Sequence, residues 1–333
     1  METAVFLLGA GFSSDAAAEA GWPVSQHGHV RYPLVSDLLK PCFGLESLPP
    51  GQSIEELFEE SIDRHDRRPV GQLYETVMEA DFTITPHLRP NGSHADNVYL
   101  RFLADFGSEP LLTFNYDSLV ELLLLGQNRW RPDDGYGVPV RIQPLRTTDP
   151  SAVTEKSLRH VLHLHGSLCV YPQGFSIVPQ GRNQLAILRP KDPPDFIFDP
   201  ESESLCFLPF EGRPAGISYV HVPERAIAPV PDKAKGLLGH FIKEMYRQAV
   251  DAIRSADRLL VIGYSFNPHD RASYERLLAP AKGRTIVIVD PNANHIAHRM
   301  RMAYPTLHWQ EIPYSFRDWV RAGYPGAERY VAP

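Results

Sequence analysis

A chain of 333 residues with 43% hydrophobic content can bury a sizeable core, as one large domain or two. Its formal charge of -7, without a long basic run, counts against nucleic acid as the main partner, and no stretch reaches the roughly 18 apolar residues of a membrane span. Cys42, Cys169 and Cys206 are far apart and form no CxxC pair, which counts against a disulfide framework and a four-cysteine zinc site, and points to reduced thiols.

The first apolar run, Val5-Phe6-Leu7-Leu8, is too short and lacks the basic leader of a signal peptide, so a cytoplasmic protein is expected. The run reads as a strand that turns at Gly9-Ala10-Gly11 and meets a helix start, where Ser13, Ser14 and Asp15 are N-cap residues. Such a turn is an anion site by construction, because unpaired N–H groups and the helix dipole converge there. The dinucleotide fingerprint would place a third glycine where Ser14 stands, so an ordinary strand-to-helix turn is the competing reading.

Residues 31–100 carry helical patches, "SIEELFEESIDRH" with Ser53 as its cap and "VGQLYETVMEADF", and read as a helical insertion after the first strand–helix unit. "EPLLTFNYDSLVELLLL" predicts a buried strand over 111–114, a short turn, and a helix opened by Asp117 or Ser118. "RHVLHLHGS" predicts a further strand from Val161 to Gly166. Residues 171–235 are rich in proline and glycine and read as an insertion of loops and hairpins, with too many aromatic residues for a solvated tether. Beyond them a long amphipathic helix over 236–256 is followed by strand, helix, strand, helix, with "TLHWQEI" as a last strand before a helical tail.

Continuously apolar strands that alternate with helices predict an α/β fold, a Rossmann-like parallel sheet flanked by helices, in one domain over 1–333. Ligands in such sheets bind beyond the strand C-termini. The residues there are Gly9 to Ser13, Asn115-Tyr116-Asp117, His165-Gly166-Ser167, Gly263 to Phe266, and Asp290-Pro291-Asn292. Each has a plainer role open to it: Asn115 and Asp117 as helix caps, His165 as a hydrogen-bonded core histidine, Asp290 as turn chemistry. Their convergence makes a nucleotide site.

"GAGFS", Gly-Trp-Pro at 21–23, "TFNYD", "LHGS", "GYSF" and "VDPN", in this order, resemble the sirtuin-type NAD-binding fold. The resemblance is nearer to the sirtuin-like NAD hydrolases of bacterial defence systems than to the protein deacylases. It implies that Gly9, Ala10, Gly11 and Ser13 hold the pyrophosphate, and that Asn115 lies along the nicotinamide ribose and holds an attacking water. It further implies that Asp117 addresses the nicotinamide carboxamide and that His165 contacts the ribose hydroxyls and serves as base. Gly263 and Ser265 would line the adenosine side, and Asp290 would accept the adenosine ribose hydroxyls and so prefer NAD to NADP.

Two departures bear on activity. The paired CxxC motifs of zinc-module deacylases are missing, so no zinc is expected, and the stretch after Gly21 lacks their Asp-Phe-Arg, with Arg31 the nearest substitute. The resemblance therefore implies an NAD glycohydrolase, with NAD as substrate and a role in anti-phage defence. An NAD-dependent protein deacylase and a non-catalytic NAD or ADP-ribose-binding subunit are the alternatives. A cell-killing hydrolase must be restrained, so a homo-oligomer or an activating partner such as an ATPase is implied. "GYSFN" lacks the second glycine of a nucleophile elbow at Asn267, and the pairs His163/His165 and His295/His298 have no third metal ligand at a fitting spacing.

Overall fold

The computed structural model describes residues 3–19, 32–64, 66, 68–88, 97–106, 109–127, 129–137, 140–142, 157–167, 170–171, 176–179, 185–188, 204–206 and 239–327. The N-terminal half runs β1 (Ala4–Leu8), α1 (Ala10–Ser14), α2 (Ala16–Glu19), α3 (Val35–Phe43), α4 (Ile54–Asp63), α5 (Arg68–Leu88), α6 (Val98–Asp105), β2 (Leu111–Thr113), α7 (Leu119–Gly126) and α8 (Pro132–Gly135). Short strands follow: β3 (Val140–Ile142), β4 (Val161–His163), β5 (Val170–Tyr171), β6 (Ser176–Pro179), β7 (Leu185–Leu188) and β8 (Ser204–Cys206). The chain continues as α9 (Gly239–Ser255), β9 (Arg258–Ile262), α10 (Arg271–Leu278), β10 (Thr285–Val289), α11 (Ala293–Ala303), β11 (His308–Ile312) and α12 (Phe316–Arg321).

Six strands form one sheet in the order β11-β10-β9-β1-β2-β4, every neighbouring pair parallel. Renumbered by their place in the chain, the order is 3-2-1-4-5-6 of a doubly wound sheet, and it reverses between β1 and β9. This is the Rossmann-like α/β class expected from the sequence. β1 is buried along its whole length, as a central parallel strand covered on both faces must be. Phe6 in β1 meets Phe102 of α6 and Phe106 at its C-cap edge-on at 5.2 and 4.7 Å, and Phe102 meets Phe316 of α12 at 5.3 Å. Burying each such ring is worth roughly 1.5–3 kcal/mol. No helix among the described residues is long and apolar enough to cross a membrane.

Local chemistry sets the element ends. Ser53 opens α4 with a capping box: its Oγ accepts from the Glu56 N–H at 3.1 Å, and Glu56 accepts from the Ser53 N–H at 2.7 Å. Two predicted strands end early. The strand expected over 111–114 stops at Thr113, whose Oγ1 accepts from the Asn115 N–H and bends the chain out of the ladder. The strand expected to reach Gly166 stops at His163, because Gly166, at φ +85°, turns its N–H back to the His163 carbonyl at 3.3 Å. In the proline-rich stretch β6 and β7 pair as an antiparallel hairpin, while most of 171–235, Gly-Trp-Pro at 21–23 and Arg31 lie outside the described residues.

Candidate functional site

At the reversal point both strands run into a glycine turn. Gly9 donates its N–H to the Ile262 carbonyl at 2.9 Å, Gly11 donates to the Gly263 carbonyl at 2.9 Å, and Gly263 donates to the Val289 carbonyl at 3.0 Å. A Cβ on Gly9 would stand 2.5 Å from the Gly263 oxygen, and a Cβ on Gly263, at φ +62°, would stand 2.3 Å from the Phe12 nitrogen. Backbone pressed on backbone therefore requires glycine here, without any ligand. The N–H groups of Gly9 and Gly11 are already engaged within the protein, whereas Ala10 is exposed and lines the adjoining pocket.

That pocket, of about 180 Å³, brings together Ala10, Ser13, Asn115, Asp117, His165, Gly263 and Ser265 from four separate strand ends. Ser13 is buried and ties two of the others to each other: its Oγ donates to Asp117 Oδ2 at 2.9 Å and accepts from Asn115 Nδ2 at 3.0 Å. Asn115 Nδ2 also donates to the Gly9 carbonyl at 3.0 Å. A carbonyl can only accept, so the amide nitrogen must face it, and both amide hydrogens are then engaged. What Asn115 can offer a ligand is its Oδ1, an acceptor for water or a sugar hydroxyl.

The capping and functional readings of Asp117 coexist. Its Oδ1 accepts from the Leu119 N–H at 3.3 Å at the start of α7, while Oδ2 takes the Ser13 hydroxyl. Burial, opposed by the Ser13 hydrogen bond and reinforced by Glu121, raises its carboxyl to about 6.

Behind Asn115 lies a network that the sequence did not disclose. His163 is fully buried, with Nδ1 3.1 Å from the Asn115 backbone oxygen and Nε2 2.6 Å from Glu121 Oε1, which also accepts from Tyr136 at 3.2 Å. The Asn115 carbonyl can only accept, so Nδ1 donates to it, and in the charged form of the ring Nε2 donates to Glu121. Burial opposes that charge, but the Glu121 carboxylate beside it raises the pKa above its usual value. The lone acid in the apolar run "LVELLLL" was the available signal. His163 and His165 thus serve different partners, and His295 and His298 are exposed on α11.

His165 packs against Phe114, ring centroids 4.4 Å apart, with Nε2 3.8 Å from Asp270 Oδ1. Asp270 also accepts from the Tyr264 hydroxyl at 3.3 Å. Tyr264 and Asn267 also line the pocket, as do Glu55 from α4 and Asp270, which were not singled out from the sequence. The Ser265 turn is held from outside by Arg299, which donates to the carbonyls of Ser265 and Phe266. Asp290 ends β10 outside this pocket's lining, where its Oδ1 accepts from the Asn292 N–H at 2.7 Å and burial raises its carboxyl. No group of three or more His, Cys, Asp or Glu among the described residues could hold a metal ion.

No protein-family model matches the chain, and no curated protein sequence matches it. Among solved structures the chain is similar to a Sir2 homologue mutant in complex with ADP ribose, at 19% identity and TM-score 0.42, over 98% of this chain and 92% of that one. A Sir2 homologue–NAD complex matches at 17% identity and TM-score 0.43, over 98% and 90%. Sir2Tm bound to a propionylated peptide matches at 13% identity and TM-score 0.36, over 98% and 92%. The fold class itself follows from the strand order and the parallel pairing.

Proposed function

We propose that the chain is an NAD glycohydrolase that takes the nicotinamide riboside end of NAD into this pocket and yields nicotinamide and ADP-ribose. The observation that carries the reading is the meeting of Asn115, Asp117 and His165 in one pocket at the reversal point, with acidic residues and no Lys or Arg in its described lining. Such a wall suits a pyridinium cation. The sequence motifs and their order support the same ligand.

The chemistry asks little of an acid. The bond from ribose C1′ to the ring nitrogen breaks with both electrons going to nitrogen, so nicotinamide leaves neutral and positive charge develops on the ribose. Asn115 Oδ1 accepts a hydrogen bond from water and aims its oxygen at C1′, and His165 takes the proton that the water gives up. The balance is NAD plus water to nicotinamide, ADP-ribose and one proton. Asp117 receives the carboxamide, Ala10 and the Ser265 turn lie towards the phosphates and adenosine, and Asp290 accepts the adenosine ribose hydroxyls, which favours NAD over NADP.

Incubation with NAD, read by chromatography for free nicotinamide and ADP-ribose, tests this. An acyl-lysine peptide in a parallel tube tests deacylation, which would release nicotinamide only when peptide is present. The proposal includes a cytoplasmic defence role and restraint by a homo-oligomer or by a second chain such as an ATPase, which lowers the turnover of the purified chain without abolishing it. A purified chain that is a fully active monomer would contradict that part.

A further inference from the structure

Glu55 occupies the first turn of α4 but takes no part in its capping box. Ser53 and Glu56 close the capping box without it. Glu55 lines the pocket together with Leu38, Leu73 and Val77, is 8% exposed, and its buried Oε2 has no hydrogen-bond partner. A buried carboxylate oxygen without a partner is costly to keep. No Lys or Arg stands in the described lining of the pocket to offset it.

We infer that Glu55 is the charge-reading residue of the pocket: its carboxylate faces the positive charge of the nicotinamide riboside unit and selects a cationic ring over a neutral one. The inference rests on the NAD reading and adds to it a residue from outside the strand-end motifs, carried by the helical segment between β1 and β2. A carboxylate aimed at a fixed cation in a site that excludes water is worth far more than in solution. During cleavage the positive charge moves from the ring to ribose C1′, and Glu55 stabilises it there without forming a bond. The helical segment thereby becomes part of the site and sets its preference for oxidised over reduced dinucleotide.

The test compares wild type with Glu55→Gln, which keeps the shape and removes the charge. Calorimetry gives Kd for NAD and for NADH, and turnover and Tm are read on the same preparations. Glu55→Gln is expected to shrink the preference for NAD over NADH by tenfold or more and to lower kcat by about 10²-fold. Its Tm is expected to equal or exceed that of wild type, because the change keeps the shape and Oε2 has no hydrogen bond to lose. An unchanged NAD/NADH preference overturns the inference whatever turnover does, and so does a Tm that falls in step with activity. Wild type that prefers NAD but leaves it intact would sink the hydrolysis reading alone, with Glu55 still decided by the binding arm. Wild type that binds neither dinucleotide overturns both.

Discussion

The two sides of the reversal point are built from different materials. Around Gly9, Gly11 and Gly263 the turns are backbone against backbone, with no space for a methyl group. Around Asn115, Asp117 and His165 the same end of the sheet is a web of buried side chains, Ser13 to Asp117 on the pocket side and His163 to Glu121 behind. The first side fixes where the strand ends sit, and the second holds the groups that can do chemistry. A glycine-rich turn is therefore evidence of close approach before it is evidence of a phosphate.

The sharpest way to break the first side is Gly263→Ala, which combines a positive φ with a Cβ 2.3 Å from a backbone nitrogen. A loss beyond about 4 kcal/mol is expected, seen as insoluble protein or a Tm lowered by about 10 °C or more. On the second side, His165→Ala is expected to lower kcat by about 10²- to 10⁴-fold with Tm little changed, and Asn115→Ala to lower kcat as far while also costing about 1–3 kcal/mol, since it loses the hydrogen bonds to the Gly9 carbonyl and to Ser13. Near-normal turnover in either would remove that residue from the reaction.

The buried pair separates frame from chemistry within one network. His163→Phe leaves the buried Glu121 carboxyl without its imidazole partner and with only the Tyr136 hydroxyl on it, and is expected to cost about 3–5 kcal/mol in denaturant unfolding. Glu121→Gln lets a neutral imidazole keep its N–H on the Asn115 carbonyl, so turnover within about threefold of wild type is expected. Its effect belongs in the pH profile. The raised His163 pKa gives stability that is complete below the ordinary value of 6.5 and lost as pH rises through the higher folded value. Glu121→Gln should flatten that alkaline loss.

Asp117 adds a slope at lower pH. A carboxyl raised from 3.8 to about 6 binds its proton more tightly when folded, so stability falls as pH climbs through that window and is level above it. Unfolding of Asp117→Asn between pH 4 and 6.5 is expected to lack the slope. The smallest effect is expected at Asp290, outside the pocket: Asp290→Asn should weaken the preference for NAD over NADP by about tenfold or less and leave stability within about 0.5 kcal/mol. A loss as large as that of Asn115→Ala would move the reacting centre to its side of the sheet.

The parallel sheet was legible because its strands are continuous apolar runs ending in polar residues. Asn115, Asp117 and His165 were legible because strand ends are where such folds gather ligands. The reason for Gly9 was not, since it depends on a turn some 250 residues further along the chain. Glu55 was hidden among five acids of one amphipathic helix, and only the docking of α4 onto the pocket distinguishes it from Glu56, Glu59, Glu60 and Asp63. His163 and Glu121 lie 42 residues apart, and their pairing waits on α7 and β4 meeting.

The central claim meets its most direct test when purified protein is incubated with NAD, beside Asn115→Ala, and nicotinamide and ADP-ribose are separated by chromatography. Equal amounts of the two products from wild type and none from the variant are expected. NAD left intact by wild type, or cleaved equally well by Asn115→Ala, would contradict it.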